Sequence, residues 1–133
     1  MDKIIQKPTT KPRTKEELRA LIAAEINQNG NHCDLNHIDV SLIADFYGLF
    51  LSSGFNGDIS DWDVSRAKNM FRMFSDSKFN GDISSWDVSG VTDMGCMFYE
   101  SSFNGDISSW NVERVKNMFG VFLGSKFKGD ISK

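Results

Sequence analysis

At 133 residues and 15.0 kDa, with 40% hydrophobic and 25% charged residues, the chain has room for one compact domain of ordinary globular composition. A net charge of −3 and a pI near 5.3 leave no basic field to draw in nucleic acid or anionic lipid. No apolar run approaches the roughly 20 residues of a membrane-spanning helix, so neither nucleic acid binding nor membrane insertion is expected.

Residues 1–13 carry Lys3, Lys7, Lys11 and Arg13 against Asp2. With two prolines and little to bury, this stretch reads as a disordered basic tail. It also lacks the apolar stretch of a secretory signal, which predicts a cytoplasmic protein if the chain is whole and an exported one if a signal has been removed. A helix is predicted over 14–30. Thr14 and Glu17 have the spacing of a capping box, Leu18, Leu21, Ile22 and Ile26 recur on one face, and Gly30 stands where a C-terminal cap belongs. Its apolar face is expected to cover the first unit of the array that follows.

That array is a repeat. Phe-Asn-Gly-Asp-Ile-Ser stands at 55–60, 79–84 and 103–108, Phe-Lys-Gly-Asp-Ile-Ser follows at 127–132, and Trp62, Trp86 and Trp110 keep the same 24-residue step. So do Val64, Val88 and Val112, then Met70, Met94 and Met118, then Phe74, Phe98 and Phe122. One period earlier, Asp34, Leu35, Ile38, Val40, Phe46 and Phe50 mark a divergent first copy. The predicted units are 31–54, 55–78, 79–102, 103–126 and a partial 127–133.

Ile83, Trp86 and Val88 have the Leu-x-x-Leu-x-Leu spacing of leucine-rich repeats, which predicts a strand over 83–88, a second extended piece, and a short helical turn near Met97 and Phe98. The fold expected is therefore a β-rich solenoid, a leucine-rich-repeat-like right-handed stack of 24-residue coils under an N-terminal capping helix. Stacking at about 4.8 Å would align Ile, Trp, Val, Met and Phe in continuous rows. All 11 phenylalanines lie within the copies.

The segment Phe79-Asn-Gly-Asp-Ile-Ser-Ser-Trp-Asp-Val-Ser89, followed by Val91, Asp93, Met94, Met97 and Phe98, resembles the repeat of BspA-like bacterial surface proteins, common in mycoplasma-type lipoproteins. The resemblance covers about 31–133. It implies a surface-exposed or secreted protein engaged in adhesion or host interaction, and it brings no catalytic residues.

Several groups could carry chemistry. Asp34, Asp58, Asp82, Asp106 and Asp130 form a row that either accepts N–H groups within local turns or gathers calcium. The Trp row reads as core, with an exposed aromatic track as the rival. His32, Cys33, His37 and Cys96 lack metal-ligand spacing, and no nucleophile elbow or phosphate loop occurs. No metal, cofactor or catalytic residue is assigned.

Between the apolar residues of the predicted strand lie His37 and Asp39, Asp61 and Asp63, Ser85 and Asp87, then Ser109 and Asn111. Asp39, Asp61, Asp63, Ser85, Asp87, Ser109 and Asn111 are the candidate binding face, an acidic, hydroxyl-rich strip whose variation fits either binding or drift on a solvated face. The expected function is a non-catalytic protein-interaction or adhesion module for a protein or cell-surface ligand. Calcium binding and a purely structural role are the alternatives, and an end-to-end homodimer through the C-terminal coil is a further expectation.

Overall fold

The computed structural model describes residues 10–129. Helix α1, Lys15–Asn29, begins where Thr14 Oγ1 accepts the Glu17 N–H at 3.1 Å. The Glu17 carboxylate reaches back to the N–H of Arg13 at 2.8 Å, one residue beyond the position a strict capping box would use. Gly30, at φ 87°, ends the helix and donates its N–H to the Ile26 carbonyl. Leu18 and Ile22 are buried on the first copy, and the Arg19 guanidinium donates to the Tyr47 carbonyl at 3.1 Å. Ahead of α1, Thr10 donates to the His37 carbonyl and accepts from the Asp39 N–H, while Pro12 is buried. The last residues of the expected disordered tail are thus laid against the first copy. Residues 1–9 of that tail, like Asp130 in the carboxylate row, lie outside the described residues.

The expectation of a β-rich, leucine-rich-repeat-like solenoid is overturned. α1 is the one helix among the described residues, no sheet forms there, and backbone pairing is reduced to five isolated parallel bridges such as Asn69 to Asp93 and Asp93 to Asn117. The segment expected to be a strand is a turn. The Trp86 N–H donates to the Ile83 carbonyl at 3.2 Å, and the same bond joins Trp62 to Ile59 and Trp110 to Ile107. The cause is local: Asp82 Oδ1 takes the Ser84 N–H at 2.9 Å, withdrawing from any ladder a donor that a strand would need. Asp58 and Asp106 do the same to Ser60 and Ser108.

The predicted helical turn fails for a related reason. Over Met94–Ser101 three turns overlap, closed from Met97 to Met94, Tyr99 to Cys96 and Ser101 to Phe98. Cys96 and Glu100 have φ near 50°, as type II turns demand at their third position and as no right-handed helix allows. Glycine takes the site at Gly48, Gly120 and Gly124, but Ser52, Arg72, Asp76, Cys96 and Glu100 adopt it with a side chain.

What holds the copies together is a row of single hydrogen bonds over stacked rings. The N–H groups of Met70, Arg72, Phe74 and Asp76 donate to the carbonyls of Asp93, Gly95, Met97 and Tyr99, and the bonds recur between the first and second copies and between the third and fourth. Phe50, Phe74, Phe98 and Phe122 stack at 5.6, 5.7 and 5.6 Å, nearly parallel. Phe55, Phe79, Phe103 and Phe127 form a second column at 6.1, 6.3 and 6.3 Å. Each such pair adds about 0.5–1.5 kcal/mol beyond area burial. The second column explains its glycines: a Cβ at Gly81 would lie 2.8 Å from the Phe79 ring and 3.1 Å from the Gly57 carbonyl.

Candidate functional site

The buried Trp row sets the orientation of the outer face. Trp62, Trp86 and Trp110 are 4%, 4% and 6% exposed, which places them in the core and removes the aromatic track. Each indole N–H donates into the preceding copy, to the carbonyls of Leu35, Ile59 and Ile83 at 3.0–3.1 Å. With Trp and the following Val turned inward, the residues on either side of Trp turn outward. Asp61, Asp63, Ser85, Asp87, Ser109 and Asn111 are all exposed.

Asp39 departs from the strip. It is half-buried, its Oδ1 accepts the Ser41 N–H at 2.9 Å, and Lys11 lies 3.8 Å away, so its carboxylate is engaged before any partner arrives. The hydroxyls are also partly committed to structure, since Ser85 and Ser109 donate to the carbonyls of Ser60 and Ser84 in the preceding copy. The acids stay outward but are pinned by their own turns. Asp63 accepts the Ser65 N–H at 3.0 Å, and Asp87 accepts both the hydroxyl and the N–H of Ser89, at 2.6 and 3.0 Å. Asn111 Oδ1 accepts the Glu113 N–H in the same way.

The Asp58, Asp82 and Asp106 row is exposed as well and enlarges the face. The Ser84 hydroxyl, then its N–H, hold Asp82 below the ordinary carboxylate range, against the opposing charges of Asp58 and Asp106. For Asp58 and Asp106 the serine N–H is the larger cause, and for Asp87 the Ser89 hydroxyl is, with the same downward direction. One oxygen, Oδ1, of each of these aspartates is therefore taken by its turn donors. Among the described residues no three His, Cys, Asp or Glu side chains are grouped to hold a metal ion. His37 meets Glu25 at 3.2 Å and His32 meets the Asn56 carbonyl, while Cys33 and Cys96 are not joined in a disulfide.

Charge is segregated in the second and fourth copies, while the second halves of the first and third hold Asp45, Asp93 and Glu100 and no lysine or arginine. Residues 55–65, 79–89 and 103–112 hold six aspartates, Asp58, Asp61, Asp63, Asp82, Asp87 and Asp106, and no lysine or arginine. The second halves of the second and fourth copies hold Arg66, Lys68, Arg72 and Lys78, then Arg114, Lys116 and Lys126. A shallow depression of about 350 Å³ beside Arg13–Glu16 and 42–45 is crossed by the Lys15–Asp45 ion pair at 3.1 Å.

Two polar rows escaped the sequence reading. Asn56, Asn80 and Asn104 each accept, through Oδ1, the N–H of the equivalent residue one copy on, at 2.7–2.8 Å. Asp45, Asn69, Asp93 and Asn117 alternate in charge down the stack, and Asn117 Nδ2 donates to Asp93 Oδ1 at 3.0 Å. The 24-residue step through both sets was the signal that could have found them.

A family model described as Mycoplasma protein of unknown function, DUF285, matches residues 19–133. No curated protein and no solved structure matches the chain. No helix among the described residues is long and apolar enough to cross a membrane.

Proposed function

The chain belongs to the Mycoplasma protein family of unknown function DUF285, and on that premise we propose that it is a non-catalytic interaction module whose acidic face binds a basic segment of another protein. The reading carries with it kinship to the BspA-like surface repeat and the adhesion role that kinship implies. The observation that supports it is the segregation of charge: six exposed aspartates on three successive first halves, with no cation among them. The turns fix Asp63 and Asp87, so this part of the face is already ordered, and aspartates are anionic at neutral pH. A preordered face loses little side-chain entropy when it binds, and charge complementarity sets register and association rate.

The test uses a lysine- and arginine-rich peptide titrated into the full chain, with an acidic peptide as control. Asparagine can keep the turn bonds through its own oxygen, as Asn111 does, so the variant carrying D61N, D63N and D87N should fold normally. Binding that weakens about tenfold or more in that variant, and that falls as salt rises, is the expected result. Binding unchanged by the three substitutions, or insensitive to salt, would remove the acidic face from the function.

A further inference from the structure

The second and fourth copies carry cations that the acidic-face reading leaves unused. Arg66 and Lys68 flank the buried Ala67, and Arg114 and Lys116 flank Val115, which packs on the core, so all four side chains turn outward and are exposed. Lys68, Thr92 and Lys116 stand in one column: the Thr92 N–H donates to the Lys68 carbonyl at 2.9 Å, and the Lys116 N–H to the Thr92 carbonyl at 2.7 Å. Between the two pairs the third copy places only Gly90 and Thr92. A Cβ at Gly90 would lie 3.4 Å from Lys68 Nζ, so the ammonium leans over the glycine, into the position between Arg66 and Arg114 in the 24-residue register. Among the described residues none of the four cations is in an ion pair.

Such a cluster fits a short row of anions on the same step. Lys68 and Lys116, two copies apart, are separated by roughly 10 Å. Asp58 and Asp106, with Asp82 between them, keep that two-copy interval on an exposed row whose carboxylates are already held by their turn serines. Two stacks set side by side therefore bring Asp58 and Asp106 to the outer pairs and Asp82 to the Lys68 ammonium, with neither changing its spacing. A long uniform polyanion is a poorer match. Asp63, Asp87 and Glu113 stand within three residues of Arg66, Gly90 and Arg114, and they would oppose it along its length.

We infer that Arg66, Lys68, Arg114 and Lys116 seat the Asp58, Asp82 and Asp106 row of a second copy of this chain. The inference rests on the acidic-face reading and names the basic segment that the face takes. Each molecule uses one surface and still offers the other, a heterologous contact that adds copies side by side. A few exposed ion pairs hold it only weakly, so it forms at high local concentration and fades as salt screens it.

The test is complementation at about millimolar protein and low salt, the range in which a few exposed pairs act. One variant carries R66Q, K68Q, R114Q and K116Q; the other carries D58N, D82N and D106N, whose side-chain oxygens keep the turn bonds. Sedimentation of the wild type should show mass rising with concentration and returning to monomer at about 1 M salt. Each variant alone should stay monomeric, while an equal mixture forms a one-to-one complex. Amide shifts in that complex should fall at 66–68 and 114–116 in one partner, and at 58–60, 82–84 and 106–108 in the other. The aspartate variant is closer to neutral than the wild type, so its loss of association would not be general repulsion. A monomeric wild type, self-association of either variant, or a mixture that does not pair would overturn the inference. Polyphosphate that shifts 66–68 and 114–116 in a wild type that stays monomeric would assign the cluster to a phosphate polymer instead. The lysine- and arginine-rich peptide should still bind the first variant, whose acidic face is intact, which tests the acidic-face reading apart from this one.

Discussion

Replacing Trp86 separates ring burial from hydrogen bonding in the stack. Its ring is 4% exposed, lies parallel to Trp62 at 6.4 Å and meets Phe74 at 6.3 Å, and its N–H donates to the Ile59 carbonyl at 3.1 Å. Trp86→Ala empties a site enclosed by copies on both sides, and should cost about 3–5 kcal/mol. Trp86→Phe keeps most of the stacking and loses the bond. The Ile59 carbonyl retains the Trp62 N–H at 3.2 Å, so no buried acceptor is orphaned and the cost should stay near 1–1.5 kcal/mol. Urea unfolding followed by far-ultraviolet dichroism measures both values, provided the slope with denaturant is unchanged. Emission of the wild type should be blue-shifted, as befits three buried indoles. If Trp86→Phe proves as costly as Trp86→Ala, the bond and not the ring holds the copies in register; if Trp86→Ala costs under about 1 kcal/mol, the indole is not core.

Gly81→Ala should destabilise the chain by about 1–3 kcal/mol in the same assay, because its Cβ would press on the Phe79 ring and the Gly57 carbonyl, and a neutral result would mean the column can shift. Glu100→Gly acts in the opposite direction: with φ at 50° and an exposed side chain, relief of the left-handed strain should raise stability by about 0.5–1 kcal/mol, and a loss would contradict the turn assignment. Acid should weaken the fold. Asp58, Asp82, Asp87 and Asp106 have folded pKa values below the ordinary one, so their contribution is present above about pH 4 and disappears as pH falls below it through the lower folded values. Melting temperatures between neutral pH and pH about 3 should decline in that window, and a flat profile would show that the turn bonds add nothing to stability.

The period and the buried rows were legible in the letters, because a 24-residue step places Trp on Trp and Phe on Phe whatever backbone lies between. The start of α1 was legible too, since Thr14 and the helix's apolar face act within a few residues. The backbone conformation was not. Ile83-x-x-Trp86 suits a leucine-rich strand and also suits a turn that brings residues three apart to the same side, and the spacing of apolar letters does not separate the two. Asp82 and Ser84 decide it, by spending a ladder donor on a side chain. The outward direction of Asp61, Asp63 and Asp87 survives the change, because the residues flanking Trp face solvent in either conformation. Asp39 is more covered than the other acids because Thr10 and Lys11, from the segment ahead of α1, lie against it.

Turns in place of strands also account for how this stack tolerates repeated charge. In a strand, a carboxylate repeated at each step would meet its like across the ladder, with little but water and counterions to offset it. Here each aspartate of the Asp58, Asp82 and Asp106 row has its own serine N–H within its own turn, so the favourable bonds are local and recur with every copy. Where no serine follows, the row changes its residues instead. Asp45, Asn69, Asp93 and Asn117 alternate, each still closing a turn on the residue two ahead, while Asn117 gives Asp93 a donor from the next copy and Asn69 reaches toward Asp45 at 3.4 Å. The chain therefore keeps these acids where a local turn bond offsets their mutual repulsion, and the surface they form stays anionic within the fold.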